Sequence, residues 1–197
     1  QQIYESLVRY DAKYQIEPAL ATKWTQISPT QVRFELRKGV KFHDGAPFTA
    51  DDMMFSITRV MTPPSNLTSS AQSVKEVKKV DDFTVDLILK GPNPTLLRAL
   101  PEARIMNKAW AEKNNSVKSQ DYASKEENFA SRNAYGTGPF QLVSWQPDVK
   151  LTLKKNASWW DKPKGNIDEI VFTPIKSAAT RSAALISGQV DFVVDPP

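Results

Sequence analysis

The residues most able to do chemistry are few and scattered. His43 stands beside Asp44 and Gly45, and a histidine next to a carboxylate is a common starting point for acid–base work. It is the only histidine in the chain, so a histidine-rich metal site is out of reach. No G-x-S-x-G turn offers it a serine nucleophile. The reading that fits is structural, with His43 hydrogen-bonded near the start of the next helix. The carboxylate pairs Asp51-Asp52 and Asp81-Asp82 could in principle serve a glycosidase-like reaction, but both sit where a helix cap and a tight turn use acids. Asp191 and Asp195 flank an apolar run and could help hold a cationic group; here too the structural reading leads. Gly136-Thr137-Gly138-Pro139 is a tight turn without the third glycine or the lysine of a phosphate cradle. Trp145, Trp159 and Trp160 could stack on a ligand, or brace loops against strands. Cysteine is absent, which removes a thiol nucleophile, a cysteine-ligated metal and any disulfide.

The elements that must carry these residues are legible in part. Residues 3–10, IYESLVRY, are too short for a clear period and read as a helix end or a short buried segment. In VRFEL, Val32, Phe34 and Leu36 alternate with Arg33 and Glu35, the period of a half-buried strand. Val40 and Phe42 resume the alternation after Lys38-Gly39. Phe48, Thr49, Asp52 and Met53 then form a near capping box with a hydrophobic staple, predicting a helix from Thr49 to about Met61. Met54, Ile57 and Met61 are placed on its apolar face, and Pro63-Pro64 stops it.

Residues 74–80 and 83–89 read as paired strands turning at Asp81-Asp82. Asn93-Pro94 is expected to start a short helix with Pro94 at its first position. Residues 107–133 are polar and read as a short helix plus loop, a seam between two units. Strands follow at 140–145, 149–153 and 167–175, with 156–160 as a loop. Ser177 caps a helix over 178–187 and Gly188 ends it; DFVVD is read as a final strand, giving a βαβ-like unit and an α/β layer.

Composition bounds the rest. The 197 residues are 40% apolar and 24% charged, enough for a real core. Lysine and arginine exceed the acids by 26 to 22, a net charge of +4. That mild excess, without a finger, RNP or helix-turn-helix pattern, argues against nucleic-acid binding. No apolar run reaches the length of a membrane-spanning helix. A start at Gln1 without an initiator methionine is expected either from a removed leader or from a chain that begins inside a longer protein, and the first residues favour the second.

Four stretches carry a resemblance. ALATKW with VRFELRKGVKFHDGAPFTADDMMFSITRV at 32–60 closely resembles the signature region of bacterial extracellular solute-binding proteins family 5, the dipeptide/oligopeptide-type binding components of ABC importers. IYESLVRY, YGTGPFQLVSWQPDVKLTLKKNASWW at 135–160 and IDEIVFTPIKSAATRSAALISGQVDFVV at 167–194 are similar to further segments of the same family. The resemblance implies an α/β fold of the periplasmic binding protein class II type. It implies a first-lobe segment at 1–22, an inserted small α/β domain at 23–133 and a first-lobe continuation at 134–197. The second lobe is missing, so the chain is expected to be a fragment: most of one lobe plus the insert.

By the same resemblance the protein is no enzyme and has no cofactor or resident metal. It is expected to bind di- or oligopeptides between two lobes and to hand them to membrane permease subunits, with an opine, an oligosaccharide, or a nickel or haem complex as the alternative solute. A carboxylate-based hydrolase, or a module acting through exposed sheet edges, ranks below both. Glu5, Ser6 and Leu7 are implied to be a cleft-facing stretch whose backbone pairs with an extended peptide, with Thr137 and Trp145 as weaker contacts. The expected location is the periplasm, or a lipid anchor outside the cytoplasmic membrane. The full-length protein is expected to be a monomer.

Overall fold

Alternating apolar residues build the central sheet. The computed structural model describes residues 2–125, 127–163 and 165–196. Strands β3 (Ala21–Ser28), β4 (Gln31–Leu36), β5 (Val74–Asp81) and β6 (Thr84–Leu89) form an antiparallel sheet in the order β3-β4-β6-β5. In β4 the register sets Phe34 opposite Trp24 of β3 and Val85 of β6. Val32, Phe34, Leu36, Val85, Leu87 and Leu89 are all buried, so one face of the sheet is core. Arg33 and Asp86, cross-strand neighbours on the other face, pair through two hydrogen bonds of 2.8 and 2.9 Å.

Helix α1 (Ala50–Met61) covers the apolar face, packing on β5 and β6. Thr49 is its N-cap, and the Asp52 carboxylate accepts from the Thr49 N–H at 3.0 Å, the return half of a capping box. Phe48 and Met53 are buried as the staple expects. The core face differs from the expected one: Met53, Ile57 and Val60 point inward, while Met54 and Met61 are only half-buried. Two adjacent methionines fit either phase of the helical period, and the staple from Phe48 decides for Met53. Beyond Gly39, at φ +78°, Val40 and Phe42 return to the core, where Phe42 meets Phe48 edge-on. Asp81 accepts from the Phe83 N–H at 2.7 Å, so this acid belongs to the turn between β5 and β6.

The N-terminal stretch is not a helix end. Val8–Tyr10 is strand β1, antiparallel to β2 (Ile16–Pro18). Leu7 and Val8 belong to the same buried cluster as the central sheet, as do Leu100 and Ile105. Helix α2 is only Leu96–Ala99, with Thr95 as N-cap. Pro94 therefore lies before the helix, because Asn93 turns the chain there by accepting from the Thr95 N–H and hydroxyl. Asn107 caps α3 (Lys108–Lys113), accepting from the Trp110 N–H at 2.7 Å.

A second antiparallel sheet runs β7-β8-β9, from Phe140–Gln146, Lys150–Lys155 and Glu169–Phe172. Helix α4 (Ala178–Ile186) starts at its Ser177 cap and is followed by Gly188 at φ +73°. The expected final strand at 191–195 does not form. Phe192 and Val194 are 78% and 75% exposed, and no described strand lies beside them to complete a ladder. The βαβ reading is corrected with it: every ladder among the described residues is antiparallel.

Candidate functional site

The turn Gly136-Thr137-Gly138 is pressed onto the chain ahead of β1, at residues 2–4. A Cβ on Gly136 would stand 2.0 Å from the Ile3 carbonyl oxygen, and one on Gly138 would stand 2.5 Å from that of Gln2. Only glycine permits this approach. The backbone then bonds across the seam: the Gly138 N–H to Ile3 O and the Phe140 N–H to Gln2 O, both at 2.9 Å.

His43 holds the turn from the other side. Its N–H donates to Gly136 O at 2.9 Å, its Nε2 bonds to Gly138 O at 3.0 Å, and its Nδ1 accepts from the Gly136 N–H at 3.4 Å. These contacts require a neutral ring with the proton on Nε2. Burial also pulls the His43 pKa below its ordinary value, against the Gly138 bond and the nearby Asp44 charge. The structural reading of His43 is the one the contacts support, although its partner is the turn rather than helix α1.

Thr137, fully buried between the two glycines, donates its hydroxyl to Glu5 at 2.8 Å. Glu5 receives two more donors from the loop after β8: the Trp160 indole N–H at 2.9 Å and the Trp159 indole N–H at 3.3 Å. The carboxyl group is thus buried among three neutral donors. Burial pushes its pKa up; the bonds from Trp160, Thr137 and Trp159 and the charge of Arg9 only partly oppose this. Arg37 lies 4.2 Å over the Trp160 ring, and Arg9 is held by Glu17 at 2.6 Å and Asp161 at 3.0 Å. Asn156 completes the bracket, donating to Gly138 O at 3.1 Å.

A cavity of about 200 Å³ opens beside this cluster, lined by Gln2, Glu5, Ser6, Arg9, Ala19, Pro139 and Trp159. Its wall mixes a carboxyl group, a guanidinium, amide and hydroxyl groups and one indole. That suits a polar solute with an apolar part.

Of the residues implied by the resemblance, the structure bonds Thr137 to Glu5 and sets Ser6 beside Glu5 in the cavity lining. The Ser6 hydroxyl donates to Val8 O at 2.6 Å. Leu7 points into the core, and its carbonyl accepts from the Ala19 and Ala21 N–H groups. Trp145, on β7, has Arg132 over its ring at 5.2 Å and lies outside the Glu5 cluster. Sequence spacing does not join Arg9, Arg37, Trp159 and Trp160 to Glu5. They lie 4 to 155 positions from it, and no local pattern joins them. The one available signal was two adjacent indole donors in a chain with a lone acid in an apolar N-terminal stretch.

The carboxylate pairs carry structure instead. Lys79 bonds Asp51 at 2.9 Å and Asp82 at 2.7 Å, while Asp52 and Asp81 serve the cap and the turn. Among the described residues no three His, Cys, Asp or Glu side chains gather as a metal site.

The model of bacterial extracellular solute-binding proteins, family 5 Middle, matches residues 15–197. The chain belongs to this family. It is 33% identical to heme-binding protein A of Haemophilus influenzae, over all of this chain and 39% of that protein. It is 32% identical to the dipeptide-binding protein of Escherichia coli, over 93% of this chain and 37% of that one. Among solved structures, NikZ from Campylobacter jejuni, in complex with Ni(L-His), superposes with a TM-score of 0.83 at 27% identity, covering 96% of this chain and 37% of NikZ. The chain thus spans well under half the length of these relatives, and its mixed α/β fold is that of the matching part of family 5 periplasmic binding proteins.

Proposed function

We propose that the chain is part of the solute-binding component of a bacterial ABC importer, that it works outside the cytoplasmic membrane, and that its solute is a di- or oligopeptide passed to membrane permease subunits. The family match over residues 15–197 carries the solute-binding reading, and the 32% identity to a dipeptide-binding protein favours peptide. The chain itself performs no reaction in this proposal. Residues 1–22 and 134–197 form one lobe and 23–133 an insert; the bonds from Gly138 and Phe140 to Ile3 and Gln2 support the first pairing.

In this reading the solute lies against the wall made by Gln2, Ser6, Pro139 and Trp159. Glu5, in the same wall, and Thr137 behind it act on the wall's shape. They hold the Trp159 indole and the turn in place, which lowers the entropy lost when a ligand docks. Leu7 supports the segment from the core, and Trp145 is assigned no contact.

A non-peptide solute is the second reading. The 33% identity to a heme-binding protein and the superposition on a nickel–histidine complex favour it. Calorimetric titration of the complete protein separates the two. Pooled di-, tri- and oligopeptides are titrated against haem, Ni(L-His), opines and oligosaccharides. Saturable binding in the peptide pool alone supports the proposal. Binding confined to another pool moves the assignment to that solute, and binding to none refutes a solute-binding role for these classes.

A further inference from the structure

Helix α1 has a second apolar face that the core does not use. Met53, Ile57 and Val60 face the sheet, whereas Met54 and Phe55 point elsewhere and are half-buried. With Thr58, Arg59, Thr62 and Pro63 they floor a groove of about 420 Å³, closed on its far side by Lys108 and by Val117–Ser119. That volume lies within the range of small-molecule sites. Residues 51 to 62 of one helix make the groove about 16 Å long, since each residue rises 1.5 Å.

Its charges are not balanced. Arg59 donates Nε to Ser116 O and Nη2 to Lys118 O, both at 3.2 Å. Among the described residues no carboxylate pairs with Arg59 and no partner meets its Nη1. Lys118, exposed on the rim, likewise pairs with no acid among the described residues. Asp51, the one acid of the lining, lies at the opposite end and is held by Lys79 at 2.9 Å. Two cations therefore stand at one end of an apolar trough. The helix C-terminus there carries only about half a negative charge against them.

We infer that this groove binds an aliphatic monocarboxylate, its chain along Met54, Phe55 and Val117 and its carboxylate at Arg59 and Lys118. The site is separate from the Glu5 wall and does not depend on the solute-binding reading. The apolar trough supplies area to bury, and the cations select the sign of the head group. Arg59 is already held by two carbonyls, so its fork is positioned before the ligand arrives.

The test uses the complete protein with labelled methionine methyl groups, titrated with sodium decanoate below its micellar range. The four methionines of this chain, Met53, Met54, Met61 and Met106, are assigned by single substitution and report separately. The expected result is a saturable shift of the Met54 methyl with Met53 and Met106 unmoved. Decylammonium, with the same chain and the opposite charge, should bind about tenfold more weakly, and Lys118→Glu should weaken decanoate by about the same factor. A silent Met54, common movement of all four methyls, or equal affinity for the two amphiphiles overturns the inference. The amphiphile comparison needs no variant, so it decides the matter even if Lys118→Glu perturbs the fold.

Discussion

Gly136→Ala probes the seam between the 136–138 turn and the N-terminal segment. The new methyl would stand 2.0 Å from the Ile3 carbonyl oxygen and 2.7 Å from its carbon. Ordinary contact needs about 3.5 Å, so the two backbones must separate by roughly 1.5 Å. Neither can yield without breaking the bonds from Gly138 to Ile3 and from Phe140 to Gln2, both 2.9 Å long. Two backbone hydrogen bonds at about 1 kcal/mol each, plus about 1–3 kcal/mol for overpacking, give a loss of about 3–5 kcal/mol. Gly91→Ala is the internal control: nothing lies within 4 Å of its Cβ and its φ is not in the left-handed region. That variant should be neutral, or gain up to about 1 kcal/mol by narrowing the unfolded ensemble. Urea unfolding followed by tryptophan fluorescence measures both. A Gly136→Ala loss below about 1 kcal/mol, or equal losses in the two variants, would refute the close approach as the reason for the glycine.

Three other outcomes follow from the same geometry. The single His43 imidazole should titrate below its ordinary value of about 6.5 and carry its proton on Nε2, as read by nitrogen–proton correlation spectra. Because its folded pKa is depressed, the stability it supplies is complete above about pH 6.5 and falls as pH drops through the folded value; His43→Gln should flatten that slope. Glu5→Ala strips the acceptor from Thr137, Trp159 and Trp160, so a loss of about 3–5 kcal/mol with a red-shifted tryptophan emission is expected; a loss under about 1 kcal/mol would show that these donors find water instead. Asp86, whose pKa the Arg33 guanidinium holds down, supplies stability above about pH 4 that is lost as pH falls through its folded value; Asp86→Asn should cost about 1–2 kcal/mol at neutral pH and remove that acid limb.

What could be read from the sequence divides by range. The α1 cap was legible because Thr49 and Asp52 are three residues apart, and β4 because VRFEL alternates within itself. The phase of α1 was not, since MMF offers two adjacent apolar candidates and the choice depends on which one the sheet accepts. The N-terminal strand was hidden because Val8–Tyr10 is three residues long and gains its identity from pairing with Ile16–Pro18. The 191–195 run failed for the complementary reason: β propensity makes a strand only beside another strand. Family resemblance supplied the fold where periodicity was silent. It named Glu5, Ser6 and Thr137 without saying that Thr137 and Glu5 would bond each other.

That bond bears on how Glu5 works. A carboxylate meant to grip a ligand amine keeps lone pairs open toward the cleft. Glu5 is instead only 6% exposed, and both of its oxygens already accept donors. Three neutral donors replace water without neutralising the charge, which is why burial still pushes its pKa up. Such a group costs stability unless every donor is in place, so it enforces one arrangement of three segments: the stretch ahead of β1, the glycine turn and the tryptophan loop. The glycines permit the approach, His43 and Asn156 hold the turn, and the buried acid fixes the indole that faces the cavity. Glu5 therefore shapes the cavity wall, and under the proposed function Trp159 is the side chain through which that shape would reach a solute.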